Sequence, residues 1–137
     1  MFQKIDHIGI AVKDLDLALP VYIEKFGLKL GQIESFDDLQ IRIAFIPLGE
    51  VLIELIEPTR ESANVNKFIQ EKGEGIHHIA YRVGDIEAAI KELKEKGVKL
   101  RNDHPRPGGG GSLIAFIEPE DTNGVLTELV QRDMELF

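Results

Sequence analysis

Residues 74–83 read EGIHHIAYRV, two adjacent histidines in a run that otherwise has the character of a buried strand. Alone, the pair would mean one core histidine and one at the surface. Its meaning comes from residues 5–12, IDHIGIAV. At an offset of 71, Ile5 falls on Ile76, His7 on His78, Ile8 on Ile79 and Val12 on Val83. His77 falls on Asp6 instead. Side chains alternate across a strand, so Ile5, His7 and Gly9 share one face, as do Ile76, His78 and Ala80. His77 points the other way, which makes His78 the functional candidate.

The repeat runs on from there. Leu15, Ala18, Leu19, Tyr22 and Phe26 space out one apolar helical stripe, and Ile86, Ala89, Ile90 and Leu93 space out its counterpart. Asp14 and Asp85 stand where an N-cap acceptor belongs, and Gly27 and Gly97 stand just past the helix ends. Pro20 predicts either a distorted turn in the first helix or a later start. Strand-like runs follow each helix: LKLGQIES, LQIRIAFIPLG and EVLIELIEP, then VKL, SLIAFIEP and GVLTELV. Phe45 falls on Phe116, and Glu54 falls on Glu128 once three extra residues in EDTNG are absorbed. Between the halves, SANVNKFIQEKG (62–73) predicts a short helix with Val65, Phe68 and Ile69 inward. The expected fold class is α+β, with two βαβββ modules. A module of about 60 residues is small to bury its own core. The expectation is therefore one domain over 1–137, comprising module 1–60, a linker helix over 61–73 and module 74–137, with one curled mixed sheet.

Polar residues that interrupt apolar strands mark the candidate site. Glu54 lies between Leu52 and Ile56, and Glu128 between Leu126 and Val130. Buried carboxylates need a partner. His7 with Glu54, and His78 with Glu128, form a set of two imidazoles and two carboxylates. Such a set suits a divalent ion with positions left for water or substrate. The alternative is that both glutamates face solvent on half-exposed strands. A second feature is HPRPGGGGS at 104–112, which predicts irregular structure and lacks the Lys–Ser/Thr pair of a Walker A loop. Gly109 and Gly110 would let backbone N–H groups approach a ligand closely, and Arg106 could meet an anion. A mobile hairpin loop is the other reading.

Composition narrows the function classes. There is no cysteine, which excludes disulfides, thiolate catalysis and Cys-based zinc sites. With 24 acidic and 16 basic residues and no basic cluster, nucleic acid is not an expected partner. No apolar run approaches bilayer length, and the N-terminus enters a strand pattern without signal-peptide features. A cytoplasmic protein with no membrane partner is the expectation.

Five segments, IDHIGIAV, LGEVLIELIEP, GEGIHHIAYRV, PRPGGGGSLIAFIEP and GVLTEL, together resemble the vicinal-oxygen-chelate superfamily, which includes glyoxalase I and extradiol dioxygenases. Within it they are most similar to the methylmalonyl-CoA epimerases. The resemblance implies βαβββ modules curled around a metal held by His7, Glu54, His78 and Glu128. It also implies a homodimer acting on an acyl-CoA. The metal would be Co²⁺, with Zn²⁺, Mn²⁺, Ni²⁺ and Mg²⁺ as alternatives. The implied reaction interconverts (R)- and (S)-methylmalonyl-CoA by proton abstraction at C2 through a metal-stabilised enolate. Glu128 would be one catalytic base and Glu54 the candidate for the other, because an acidic residue of the family near position 42 is here Arg42. Relatives commonly show His-Pro-Lys where this chain has Glu118-Pro119-Glu120, and FDDLQI replaces the usual turn before Phe45. Two rivals share the fold: a glyoxalase I-type lactoylglutathione lyase and a non-catalytic small-molecule binding protein.

Overall fold

The computed structural model describes residues 1–133. The chain divides into two compact units, one of His7–His77 and one of Met1–Asp6 together with the chain from His78 onward.

In the unit His7–His77, strand β1 (Phe2–Ala11) contributes its residues from His7 on. Asp14 caps helix α1 (Leu15–Pro20) by accepting from the Asp16 N–H. The chain then widens into a π-helical turn, Val21–Lys25. Pro20 is the cause: it has no N–H to donate back, and its ring crowds the preceding turn. The Phe26 N–H accordingly bonds the Val21 carbonyl five residues back, at 3.0 Å. Of the two outcomes predicted for Pro20, the distorted turn is the one found.

Strands β2 (Gln32–Phe36), β3 (Ile41–Leu48) and β4 (Val51–Pro58) follow, then helix α2 (Asn64–Lys72). Their order is β2-β3-β4-β1, with β1 parallel to β4 and the other pairs antiparallel. The run LKL at 28–30 is not strand, because the Leu28 N–H closes onto the Tyr22 carbonyl after the π turn.

The other unit contains β5 (Gly75–Val83) from His78 on, helix α3 (Ile86–Glu95), and strands β6 (Arg106–Pro107), β7 (Leu113–Ile117) and β8 (Thr127–Gln131). The order is β5-β8-β7-β6, with β5 parallel to β8. Here the outermost strand departs from expectation. The run VKL makes only the single bridge Leu100–Ile117, and the outer position goes to Arg106–Pro107, within the stretch expected to be irregular. The polar segment RNDHP cannot continue a ladder, and the Asn102 side chain takes the Phe116 N–H at 3.2 Å in place of a strand partner.

The two cores occupy equivalent positions. Val12, Leu15, Ala44, Ile46 and Leu55 form one. Val83, Ile86, Ala115, Ile117 and Leu129 are their counterparts in the other. Each set packs a helix on one face of its strands, and each full burial of a branched side chain contributes about 1.5–3 kcal/mol.

The duplication extends to a hydrogen bond that sequence spacing does not announce. Glu57, three residues beyond Glu54, accepts the Leu15 N–H at 2.7 Å. Gln131, three beyond Glu128, accepts the Ile86 N–H at 2.8 Å. In both units a strand side chain thus ties down a first-turn N–H that the helix itself cannot satisfy. Gln131→Ala is expected to lower stability by about 1 kcal/mol, whereas Gln131→Glu restores the counterpart's acceptor and should cost less. Urea denaturation midpoints of the two variants check this; equal midpoints would remove the capping role.

Candidate metal centre

Strand register builds each half of the candidate centre in the same way. Glu54 on β4 lies between Gly9 on β1 and Phe45 on β3. Glu128 on β8 lies between Ala80 on β5 and Phe116 on β7. The residue on the histidine-bearing strand is small in both cases. That leaves room for the histidine two residues back, on the same face, to reach across to the carboxylate. His7 Nδ1 stands 3.2 Å from Glu54 Oε2, and His78 Nε2 stands 3.0 Å from Glu128 Oε2.

All four residues are buried, with 3–4% of their surface exposed. The reading that places the two glutamates in solvent is therefore overturned. His77 lies on the other side of its strand, its ring edge-on to Phe68 of α2 with centroids 4.8 Å apart. His78 instead meets the edge of Phe116 at 5.9 Å, and the Arg101 guanidinium lies 5.7 Å from that same ring.

These distances bear on whether an ion fits. Metal–ligand bonds of about 2.1 Å put neighbouring ligand atoms about 3.0 Å apart at right angles and about 3.4 Å apart at the tetrahedral angle. The two His–Glu separations fall in that range. The donors, imidazole nitrogen and carboxylate oxygen, suit a borderline divalent ion. The same separation accommodates an imidazole N–H donating to a carboxylate, so the weight rests on its recurrence in both units.

The residues flagged as departures have local explanations. Arg42 Nε donates to Glu57 Oε1 at 2.9 Å, and this bond and charge hold its guanidinium above its ordinary value. Glu118 accepts from Arg101 at 3.0 Å, which holds its carboxyl below the usual range, and Glu120 lies 3.3 Å from Lys99. The acids of the Glu118-Pro119-Glu120 turn thus answer the basic residues Lys99 and Arg101.

The glycine run closes a hairpin between β6 and β7. Arg106, half-buried, pairs in register with Ile114. Gly109–Gly111 make a tight turn in which Gly110 and Gly111 have φ of 66° and 75°, left-handed values that side chains disfavour. The Gly108 N–H bonds the Ser112 carbonyl at 2.9 Å across the turn.

One cluster escaped sequence reasoning. Asp6, buried on the face of β1 opposite His7, receives Arg82 Nε at 2.7 Å and Arg132 Nη2 at 3.0 Å. The signal was available: Asp6, like Glu54, is a carboxylate within an apolar strand. Its basic partners lie 76 and 126 residues away and follow no repeat.

Among the described residues no helix is long and apolar enough to cross a membrane. Residues 6–116 match the Glyoxalase/Bleomycin resistance protein/Dioxygenase superfamily. The chain is 37% identical to the ethylmalonyl-CoA/methylmalonyl-CoA epimerase of Cereibacter sphaeroides, over 96% of this chain and 99% of that one. It superposes on a Streptomyces coelicolor methylmalonyl-CoA epimerase variant in complex with 2-nitronate-propionyl-CoA at a TM-score of 0.93. Identity there is 38%, covering 97% of this chain and 96% of that chain. A hypothetical protein from Bacillus halodurans gives a TM-score of 0.94 with 45% identity, covering 96% of each chain. With its fold, its repeated histidine–glutamate pairs and these relatives, the chain belongs to the glyoxalase/bleomycin resistance protein/dioxygenase superfamily, in the group that holds the methylmalonyl-CoA epimerases.

Proposed function

We propose that this chain is a divalent-metal-dependent epimerase that interconverts (R)- and (S)-methylmalonyl-CoA, with His7, Glu54, His78 and Glu128 together holding one ion. The observation that carries the reading is the buried His–Glu pair at ligand spacing, repeated once in each unit. The epimerases among its relatives support the substrate class.

The chemical problem is a weakly acidic C2–H between a thioester and a carboxylate. A bound divalent ion supplies Lewis-acid stabilisation for the negative charge that develops when this proton leaves. Glu128 removes the proton from one face of C2 and Glu54 serves the other, each returning a proton in the reverse direction. Phe45 and Phe116, across the strands from the glutamates, provide apolar neighbours that strengthen the local electrostatics. Arg106 and the backbone N–H groups of Gly109 and Gly110 receive anionic oxygens of the acyl-CoA. The ion in this reading is cobalt, with zinc, manganese, nickel and magnesium as the others to compare. The working assembly is a homodimer in the cytoplasm, as the family resemblance implies.

The test is loss of the C2 proton signal of methylmalonyl-CoA in D₂O, followed by NMR with metal-loaded and chelator-treated protein. Exchange that requires metal, followed by inversion in a chiral assay, is the expected result. No exchange with any of the five ions would sink the epimerase reading and bring hemithioacetal substrates forward. Ethylmalonyl-CoA, run in parallel, reads how tightly the acyl group is selected.

A further inference from the structure

The glycine turn is anchored by the buried ion pair on Asp6. Arg132, just past β8, is 3% exposed at its side chain, and Asp6 is fully buried. The guanidinium grips the carboxylate as a fork, Nε to Oδ1 at 3.1 Å and Nη2 to Oδ2 at 3.0 Å. Its remaining nitrogen, Nη1, donates to the Gly109 carbonyl at 2.9 Å. Arg82 fixes the same carboxylate from another side at 2.7 Å. The Gly109 carbonyl also accepts from the Ser112 hydroxyl at 2.8 Å.

This geometry determines which way the turn faces. A peptide unit is planar and trans, so a carbonyl pinned in one direction aims the next N–H in the opposite direction. With the Gly109 carbonyl held toward Arg132, the Gly110 N–H is aimed away from it. Glycines have no conformational preference of their own strong enough to do this. The turn closes on itself, because the Ser112 N–H and hydroxyl both donate to the Gly109 carbonyl. Arg132 ties the closed turn to Asp6, and only a planar guanidinium can hold the carboxylate by two bonds and still reach the carbonyl with a third.

Gly108 reinforces the fit. A Cβ there would stand 2.5 Å from Ile114 Cγ2, so the turn lies directly against β7.

We propose that Arg132 is a positioning residue: it sets the 108–112 turn in the one shape that receives the anionic part of an acyl-CoA. The proposal rests on the substrate reading above for the ligand, and on the Asp6–Arg132–Gly109 chain of contacts for the geometry.

Arg132→Lys is the informative variant, because it keeps a cation beside Asp6 and hence the fold, but loses the fork. Arg132→Met serves as the more drastic comparison. Amide hydrogen exchange reports on the turn without any substrate, and steady-state kinetics on methylmalonyl-CoA report on binding and turnover separately. The expected result for Arg132→Lys is faster exchange, by about tenfold or more, at Gly108 and Ser112, whose N–H groups are hydrogen-bonded within the turn, with α3 and β8 protection unchanged. KM should rise by about tenfold while kcat stays within about twofold. Unchanged exchange in the turn overturns the anchoring role, whatever the kinetics. A loosened turn with unchanged KM overturns the substrate-positioning role, as does a fall in kcat alone. If the wild-type protein turns over no acyl-CoA, the functional reading fails and the positioning role falls with it. The exchange measurement then still decides whether Arg132 holds the turn.

Discussion

Glu128→Gln is expected to slow C2 proton exchange by about three orders of magnitude, within the range by which a positioned general base accelerates proton transfer. Glutamine matches glutamate in size and retains a carbonyl oxygen that can accept a hydrogen bond from His78, so the buried site stays filled. What it loses is basicity. The strands around it should tolerate the change, because Glu128 is buried between Ala80 and Phe116 and the volume is preserved. Two measurements separate base from ligand: the exchange rate, and the affinity for cobalt followed by its visible absorption. Slow exchange with cobalt affinity kept within about tenfold assigns Glu128 as a base. Wild-type exchange in the variant would eliminate that assignment. The companion Glu54→Gln should stop exchange from one isomer only, and exchange retained from both isomers would remove Glu54 as the second base.

Phe45→Ala is expected to lower stability by about 3–5 kcal/mol, a large share of the 5–15 kcal/mol typical of a whole domain. Phe45 is fully buried in mid-β3, opposite Glu54, where truncation leaves a cavity that a paired strand cannot collapse to fill. Its counterpart Phe116 is only partly buried, touched by His78 on one side and Arg101 on another. Phe116→Ala should therefore cost about half as much stability, while disturbing the orientation of His78. Urea unfolding of both variants compares the costs. Equal losses would mean that burial is not what distinguishes the two positions.

Much of this protein was legible in the chain because duplication repeats a physical pattern. A single Ile-x-His-Ile run is ambiguous. Two such runs, each followed by an N-cap aspartate, a helical stripe and a glutamate in an apolar strand, are not. The period-2 rule then chose His78 over His77, and the structure pairs His78 with Glu128 while His77 meets Phe68. The cap residues Asp14 and Asp85 were readable for the same reason: they act within three residues of themselves.

Features that depend on distant partners were not readable. Alternation along a strand says which residues share a face but not whether that face is covered, so Glu54 and Glu128 could have been wet. Only the fold shows them buried. The outer strand Arg106–Pro107 arises from pairing with β7, and the locally closed glycine turn is tied to the rest of the fold by Arg132; proline and glycine argue against regular structure on their own. The π turn after Pro20 is a compromise between a missing N–H and the need to keep Tyr22 and Ile23 against the core.

The sequence by itself determined the two-module α+β plan and the helix caps, and it singled out His7, Glu54, His78 and Glu128 as candidates, because each rests on spacing within one element or on the repeat between two. The tertiary structure decided burial, the 3.0–3.2 Å His–Glu separations and the Asp6–Arg132 anchor. Those depend on how strands far apart in the chain come to lie side by side, and no local periodicity encodes that distance.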